Sequence, residues 1–242
     1  MTKLDSYFLK FTNKLAYLDL KETASYGLLN DIPLPIYMDD MSEKIISGSM
    51  ANKIDLDTIL QAMLINIGID KDFKYTNQYI EVLEKYLTDI GGFAAKKALE
   101  AAGTKSDKAL LLARGGYIIN PLNKYNAYNY ARLLWPKSFE ENDEFQDDFV
   151  KEALAILQNL ISQDESFPLS YYELGNIYTN LGEYVKARSY YDNALLRTED
   201  IEAKDEIRRQ IDSINDNAEI EESLYYIGKR SEEHTSELQS PS

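Results

Sequence analysis

The side chains that could carry chemistry in this 242-residue chain are mostly carboxylates, because it has no cysteine and a single histidine, His234. Thiolate catalysis, disulfides and cysteine-ligated zinc are therefore impossible. A carboxylate-pair hydrolase would rest on Asp or Glu, assisted by Lys, Tyr or Ser. Acidic pairs are abundant at this composition and so are unspecific. The sequence therefore favours a protein that is not an enzyme, with no catalytic residues and no cofactor.

Two aspartate pairs have a spacing that superficially suggests a cation site. Asp70 and Asp72 lie in GIDKDF, and Asp39 and Asp40 are adjacent. A calcium loop needs further oxygen ligands at fixed spacing and a closing glutamate, and these do not follow Asp72. We interpret both pairs as helix-capping or solvated turn residues, so no metal site is predicted.

A glycine pair, Gly115-Gly116 in ARGGYI, lies inside a helical pattern. Each glycine there costs about 1 kcal/mol relative to alanine, so a packing or binding role is expected. Neither a GxxxxGK[ST] nor a GxGxxG phosphate-binding motif is present. Close helix packing is the favoured interpretation.

The charge balance bounds the partners. A net charge of −15 argues against nucleic acid and against anionic lipid, since both require a basic face. No run approaches the roughly 20 apolar residues that span a bilayer, and the N-terminal MTKLDSYFLKFTNK lacks a signal-peptide core. We expect a cytoplasmic protein that binds neither nucleic acid nor membrane.

The last residues, RSEEHTSELQSPS, have no apolar periodicity. Residues 230–240 resemble, codon for codon, the in-frame translation of a common sequencing-library adapter; a natural polar tail is the alternative. We expect residues 230–242 to be a non-native tail that does not continue the preceding helical pattern. The natural protein is then expected to continue past Lys229.

Residues 1–75 are predicted to form a helical N-terminal region of uncertain fold. An amphipathic helix is predicted by the spacing of Tyr7, Phe8, Phe11, Leu15 and Leu18. The prolines of segment 31–35 predict an extended connector, because proline disfavours helix in the residue before it. A short helix is expected over 41–46 and a break at 47–49.

Helical patterns dominate from Asp55 onward. The first has the apolar face Ile59, Leu60, Met63, Leu64 and Ile67. Asp55 or Asp57 is expected to cap this helix, and Gly68 to stop it. A second helix is expected to be capped by Thr76.

The following segments predict further paired helices. Ile90-Gly91-Gly92 is expected to end the second helix, and residues 93–102 and 106–119 to form the next two. Asn120-Pro121 then breaks the chain. Helices joined by short turns, without alternating strand patterns, predict an all-α fold.

The segment 168–201 has a distinctive pattern of large and small residues. Bulky side chains recur at Tyr171, Leu174, Tyr178 and Tyr191, small ones at Gly175, Ala187 and Ala194, and Gly182 occupies the turn. Small residues let two helices approach closely, while the large ones fill the space between them. The pattern resembles the tetratricopeptide repeat (TPR) family, except that Glu199 replaces the usual proline. The resemblance implies a helix–turn–helix solenoid, a right-handed superhelix, over 76–229.

Weaker units are expected on both sides of this repeat. A preceding unit over about 123–167 is predicted from Ala127, Tyr130, Ala131, Leu134, Ala153, Leu157 and Leu160. Its surplus residues, 136–145, are predicted to form an acidic inter-helix loop, and Trp135 to lie in the core. A fainter unit covers 90–122. An apolar stripe over 207–227 and a turn at Gly228 predict another, incomplete unit.

The resemblance implies a scaffold that binds another protein or peptide in a concave groove lined by the first helix of each unit. Its ligand-contact positions correspond here to Leu169, Tyr172, Asn176, Thr179 and Asn180. Basic residues that would clamp a terminal carboxylate are not evident among them. Self-association through the incomplete C-terminal unit is expected. The alternatives are a sensor module for a small ligand or peptide and the carboxylate-based hydrolase.

Overall fold

The computed structural model describes residues 2–18, 27–30, 32–41, 55–103, 106–140 and 143–238. The described residues are predominantly helical, which confirms the all-α class. The helices are α1 (Lys3–Leu9), α2 (Leu56–Ile69), α3 (Thr76–Tyr86), α4 (Ile90–Ala101), α5 (Ser106–Ile119), α6 (Lys124–Glu140), α7 (Asp143–Gln163), α8 (Pro168–Asn180), α9 (Tyr184–Arg197) and α10 (Ile201–Leu238). Two compact units are present: a first unit, Met1–Ala153, and a second unit, Leu154–Ser242.

The N-terminal segment contains a small sheet, so the helix predicted from Tyr7 to Leu18 is confirmed only as far as Leu9 and is wrong for Leu15 and Leu18. α1 ends at Leu9, a 3₁₀ turn follows, and β1 (Leu15–Leu18) pairs antiparallel with β2 (Leu34–Tyr37). β2 is buried along its whole length and packs on α2. Burial against distant residues thus overrides the local helical spacing. The extended backbone expected at Leu34-Pro35 is confirmed, while 42–49 lie outside the described residues.

α2 is the central helix of the first unit, with every residue from Thr58 to Ile69 buried. Asp55 caps it by accepting a hydrogen bond from the Thr58 amide at 2.7 Å. α2 ends at Ile69, one residue after the stop predicted at Gly68. A Cβ at Gly68 would collide with the Leu111 carbonyl of α5. Gly115 makes the reciprocal contact from α5, because a Cβ there would collide with the Leu64 carbonyl of α2. Gly115 therefore allows the close helix packing that was expected of the pair Gly115-Gly116.

Segment 90–92 begins a helix, so the helix end predicted there is wrong. Asp89 caps α4 by accepting a hydrogen bond from the Gly92 amide at 2.9 Å. An aspartate one residue before a helix can hold glycines in its first turn, because it satisfies an otherwise free N–H. Thr76 is the first residue of α3 rather than its cap. The helix over 106–119 and the break at Asn120-Pro121 are confirmed.

The acidic loop predicted over 136–145 is also wrong. α6 continues through Pro136 to Glu140, and α7 begins at Asp143. Ser138 is fully buried and donates a hydrogen bond to the Trp135 carbonyl at 2.6 Å. The buried Lys137 ammonium pairs with Asp107 at 2.7 Å and with Glu140. These contacts hold the helix where proline would otherwise break it. Trp135 is buried, as expected.

The second unit contains the helix–turn–helix expected over 168–201. α8 packs on α9, and Gly182 reverses the chain between them with φ of +76°. A Cβ on Gly175 would lie 2.5 Å from the Tyr191 ring, so glycine is what lets the two helices meet. Ala187 and Ala194 are fully buried.

α10 packs on α9 and runs unbroken to Leu238. The turn predicted at Gly228 is therefore wrong, and so is the end of the helical pattern before Arg230. Ile207, Ile214 and Ala218 are buried, whereas Ile220 and Leu224 are exposed. The apolar stripe is thus covered only in its N-terminal half.

Candidate functional site

A cleft of about 170 Å³ lies between α8 and the start of α10; we call it the anchor cleft. One wall is formed by Pro168, Leu169 and Tyr172. The other is formed by Thr198, Ala203, Glu206 and Ile207. The lining is almost wholly apolar, and its polar side-chain groups are the Tyr172 and Thr198 hydroxyls and the Glu206 carboxylate.

Tyr172 and Glu206 are the two groups that could orient a ligand in the anchor cleft. Their oxygens lie 3.5 Å apart, and Tyr172 is half-buried. Burial raises the pKa of Tyr172, and the charges of Glu206 and Glu173 raise it further. Hydrogen bonds from Arg209 and Gln210 lower the pKa of Glu206. At neutral pH the cleft therefore offers a neutral hydroxyl and an ionised carboxylate.

Of the predicted groove residues, Leu169 and Tyr172 lie in the anchor cleft, and the other three lie elsewhere on α8. Asn176 accepts a hydrogen bond from the Tyr191 hydroxyl at 2.8 Å. Thr179 donates to the Gly175 carbonyl at 2.9 Å and contacts the same tyrosine. Asn180 is exposed and donates to the Asn176 carbonyl.

Tyr191 organises the polar contacts between α8 and α9. Its ring is almost fully buried, and burial raises its pKa to about 12. The hydroxyl is therefore a donor at physiological pH, and Asn176 is its acceptor. Asn176 thus has a role inside the helix pair in addition to the ligand contact predicted for it.

The second wall of the anchor cleft was missed in the sequence. Glu206 follows Tyr172 by 34 residues, which is the repeat length of the resembled family. That spacing is the signal that could have found it, because equivalent positions of successive units line one surface. The weak repeat pattern after Ile201 obscured it.

A different groove, of about 270 Å³, lies between α4 and α6 of the first unit; we call it the basic groove. Its floor is apolar and consists of Ala95, Ala98, Leu99, Ala102 and Leu133. Its polar lining consists of Lys96, Asn129 and Arg132. The groove therefore combines apolar area with two cations.

A third cavity, of about 400 Å³, is the most polar of the three and we call it the amide cavity. Asn120, Asn123 and Asn126 line it, together with Glu84 and Asp89. Asn126 is buried, and its side-chain NH₂ donates to the Gly116 carbonyl at 3.1 Å. Carboxamides and carboxylates of this kind suit a small polar ligand.

A buried charge cluster joins distant parts of the first unit. The carboxylate of Asp5 pairs with Arg114 at 2.6 Å and with Lys71 at 2.8 Å. Arg114 also donates to the Gly68 carbonyl, and its guanidinium lies over the Phe8 ring. Asp5 caps α1 as well, in a reciprocal pair with Thr2.

Two carboxylates near this cluster have pKa values that shift in opposite directions. Burial raises the pKa of Asp5, but hydrogen bonds from Lys71 and Thr2 and the charge of Arg114 outweigh it and lower the pKa to about 2. Burial raises the pKa of Glu152. Divergent carboxylates can divide acid and base roles. Neither residue lines one of the three cavities above, so this pair does not meet a described ligand space.

Comparisons with known proteins add no relative: no family model, curated protein or solved structure matches the chain. Among the described residues, no helix is long and apolar enough to cross a membrane. The same residues contain no cluster of three or more His, Cys, Asp or Glu side chains that could hold a metal ion.

Proposed function

We propose that the chain is a TPR-like helical-repeat scaffold that binds a peptide segment of another protein in the anchor cleft. The observation that carries this proposal is the cleft itself, an apolar space between α8 and α10 with a hydroxyl and a carboxylate at its edge. Ligand sites are typically apolar concavities with a few orienting polar groups. The repeat pattern over 168–201 supports the same class of function.

The lining indicates the chemistry of the peptide. A space of about 170 Å³ suits one large apolar side chain, which would contact Leu169, Ala203 and Ile207. The ionised Glu206 favours a donor beside that anchor, either a backbone N–H or a Lys or Arg side chain. We therefore expect a peptide with one apolar anchor next to a basic residue.

Peptide selection with matched variants tests the proposal. Peptides would be selected from a displayed random library on the full chain, and affinities measured by fluorescence anisotropy. Ala203→Phe fills the anchor cleft and should weaken binding at least about tenfold, equivalent to about 1.4 kcal/mol. Leu196→Phe is the control, because Leu196 is 81% exposed on the neighbouring helix. Selected peptides that bind both variants equally would contradict the proposal.

Tyr172→Ala is a second probe of the same site. It removes the tyrosine ring from one wall of the anchor cleft and keeps both partners of the hydrogen bond between Tyr191 and Asn176, although the Tyr172 ring also lies 5.8 Å from the Tyr191 ring. Asn176→Ala is a poorer probe, since it would leave the buried Tyr191 hydroxyl without that acceptor and disturb the helix pair. Circular dichroism of each variant separates loss of binding from loss of fold.

A small-ligand sensor is the second candidate, favoured by the amide cavity. Its three asparagines could hydrogen-bond a polyol, an amino acid or a nucleobase. A thermal-shift screen of such compounds against wild type and Asn123→Ala would test it. A ligand that raises Tm in wild type alone would support this candidate, whereas the absence of any shift would count against it.

A further inference from the structure

The basic groove carries an inference that is independent of the anchor cleft. Leu99, which lines the groove together with other apolar residues, is 71% exposed, so most of its side chain is open to a partner. The small side chains of Ala95, Ala98 and Ala102 line the α4 side of the groove, so another helix could approach the α4 backbone closely. The floor is therefore shaped for an apolar helical segment.

The rim of this groove selects for acidic partners. Lys96 and Arg132 are both exposed, and neither has an ion-pair or hydrogen-bond partner among the residues that the structure describes. In a chain of net charge −15, where carboxylates are in excess, these two cations remain available to a partner. Two carboxylates beside an apolar anchor would complement the two charges.

The chain itself presents a helical face with this complementary chemistry. Ile220 and Leu224 on α10 are 58% and 63% exposed. Asp216 lies one turn before Ile220, and Glu219 adjoins it; both carboxylates are exposed and lack partners in the described part of the chain. Spacing of three to four residues places these four side chains on neighbouring positions of one face.

This acidic apolar face does not take part in the packing of α10 on α9. Among the α10 residues whose burial the structure describes, the buried ones are Ile207, Ile214 and Ala218. Ile220 is two residues from Ala218 and six from Ile214, so at 100° per residue it points about 160° and about 120° away from them around the helix axis. The face is therefore available to another molecule while α10 stays packed in its own unit.

We propose that the basic groove is the docking site for α10 of a second copy of this chain. Ile220 and Leu224 of one copy pack on Leu99 and Leu133 of the other, and the Asp216 and Glu219 carboxylates pair with Lys96 and Arg132. The contact joins different surfaces of the two copies, so it is head-to-tail and extends beyond a dimer unless it closes into a ring. A patch of this size gives weak, concentration-dependent association.

Charge exchange between two variants tests this contact. Sedimentation equilibrium on the full chain should show a mean mass that rises above 27.8 kDa with concentration. Lys96→Glu with Arg132→Glu should weaken association at least about tenfold, and so should Asp216→Lys with Glu219→Lys. An equimolar mixture of the two double variants should associate again, because each then supplies the complement of the other. Lys74→Glu with Lys151→Glu is the control double reversal and should leave the mass unchanged.

Three results would overturn the proposal. They are a monomeric mass for wild type at every concentration, association that survives both reversals, and failure of the mixture to restore association. A second measurement guards against misfolding of the charge variants. A synthetic peptide of residues 212–226 should bind wild type and lose at least about fivefold in affinity for Leu99→Ala, which alters an exposed side chain. Equal affinity for both proteins would also overturn the proposal. Peptide binding in the anchor cleft stands or falls separately, since it uses none of these residues.

Discussion

Different kinds of interaction stabilise the interior of each of the two compact units. In the first unit, Asp5 pairs with Arg114 across 109 positions of sequence, and Lys71 completes the cluster. In the second unit, the key contacts are local, such as Tyr191 to Asn176, 15 positions apart, and Gly175 against the Tyr191 ring. One unit depends on the ionisation of a buried carboxylate, whereas the other depends on the sizes of a few side chains.

Their ligand spaces differ in the same way. The basic groove of the first unit has two unpaired cations above an apolar floor, and the anchor cleft of the second has a single carboxylate. Similar helix pairs can therefore present opposite charge preferences, because the residues that line the clefts are not those that pack the helices. A substitution in one unit should therefore change the stability of that unit alone, and a substitution in one cleft should change ligand binding in that cleft alone.

Asp5→Ala is expected to have the largest effect, confined to the first unit. Loss of the carboxylate leaves the buried Arg114 guanidinium without its counter-ion, which costs about 3–5 kcal/mol. Hydrogen exchange should show faster exchange in α2 and α5 and unchanged rates in α8 and α9. Asp205→Ala is the control, because Asp205 forms an exposed pair with Arg208. An equal loss of protection in both units would show that they do not differ as described.

Low pH is expected to have the second largest effect, because it should destabilise the first unit more than the second. The pKa of Asp5 in the folded state is about 2, below its ordinary 3.8, so the ionised group stabilises the first unit above about pH 4. This contribution, about 2 kcal/mol, is lost as pH falls towards 2. Urea unfolding across this range should show it in wild type and not in Asp5→Asn. The same pH slope in both proteins would contradict the role of Asp5.

Gly175→Ala should destabilise the second unit by a smaller amount. The new methyl group would meet the Tyr191 ring, and overpacking of this kind costs about 1–3 kcal/mol. Exchange in α8 and α9 should accelerate while α2 and α5 keep their protection. Gly103→Ala is the matched substitution in open space and should be nearly neutral. A stable Gly175→Ala protein would show that helix separation in this unit is adjustable.

Glu206→Gln is expected to have the smallest effect. The Glu206 side chain is 42% exposed, so stability should change by less than about 0.5 kcal/mol. Affinity for a selected basic peptide should fall by about threefold, as for a typical exposed ion pair. Anisotropy titrations of wild type and variant would measure it. A peptide that binds Glu206→Gln more tightly would indicate that the anchor cleft prefers a different neighbour for the apolar anchor.

Sequence patterns predict the second unit well because its determinants are local. Gly182 in a turn and buried Ala187, Tyr191 and Ala194 follow directly from spacing. Sequence patterns also predict close packing at Gly115-Gly116 of α5, since glycine inside a helix indicates a close neighbour. Leu169 and Tyr172, two of the predicted groove residues, line a cleft in the structure, and the second wall of that cleft depends on how α10 packs.

The first unit is less predictable because distant partners decide its local structure. The segment from Leu15 to Leu18 continues a helical spacing, yet it forms a strand because it pairs with β2. Pro136 signals a break, yet buried Ser138 and Lys137 keep α6 continuous. Gly68 lies near the end of α2, as predicted, but its close contact with the α5 backbone depends on a distant segment. Spacing along one segment contains no information on these partners.

Mapping a selected peptide onto the chain by NMR tests the central claim most directly. Addition of the peptide to isotope-labelled protein should shift amide signals of residues 168–172 and 203–207, and Ala203→Phe should abolish those shifts. Shifts confined to α4 and α6, or to the lining of the amide cavity, would contradict peptide binding in the anchor cleft.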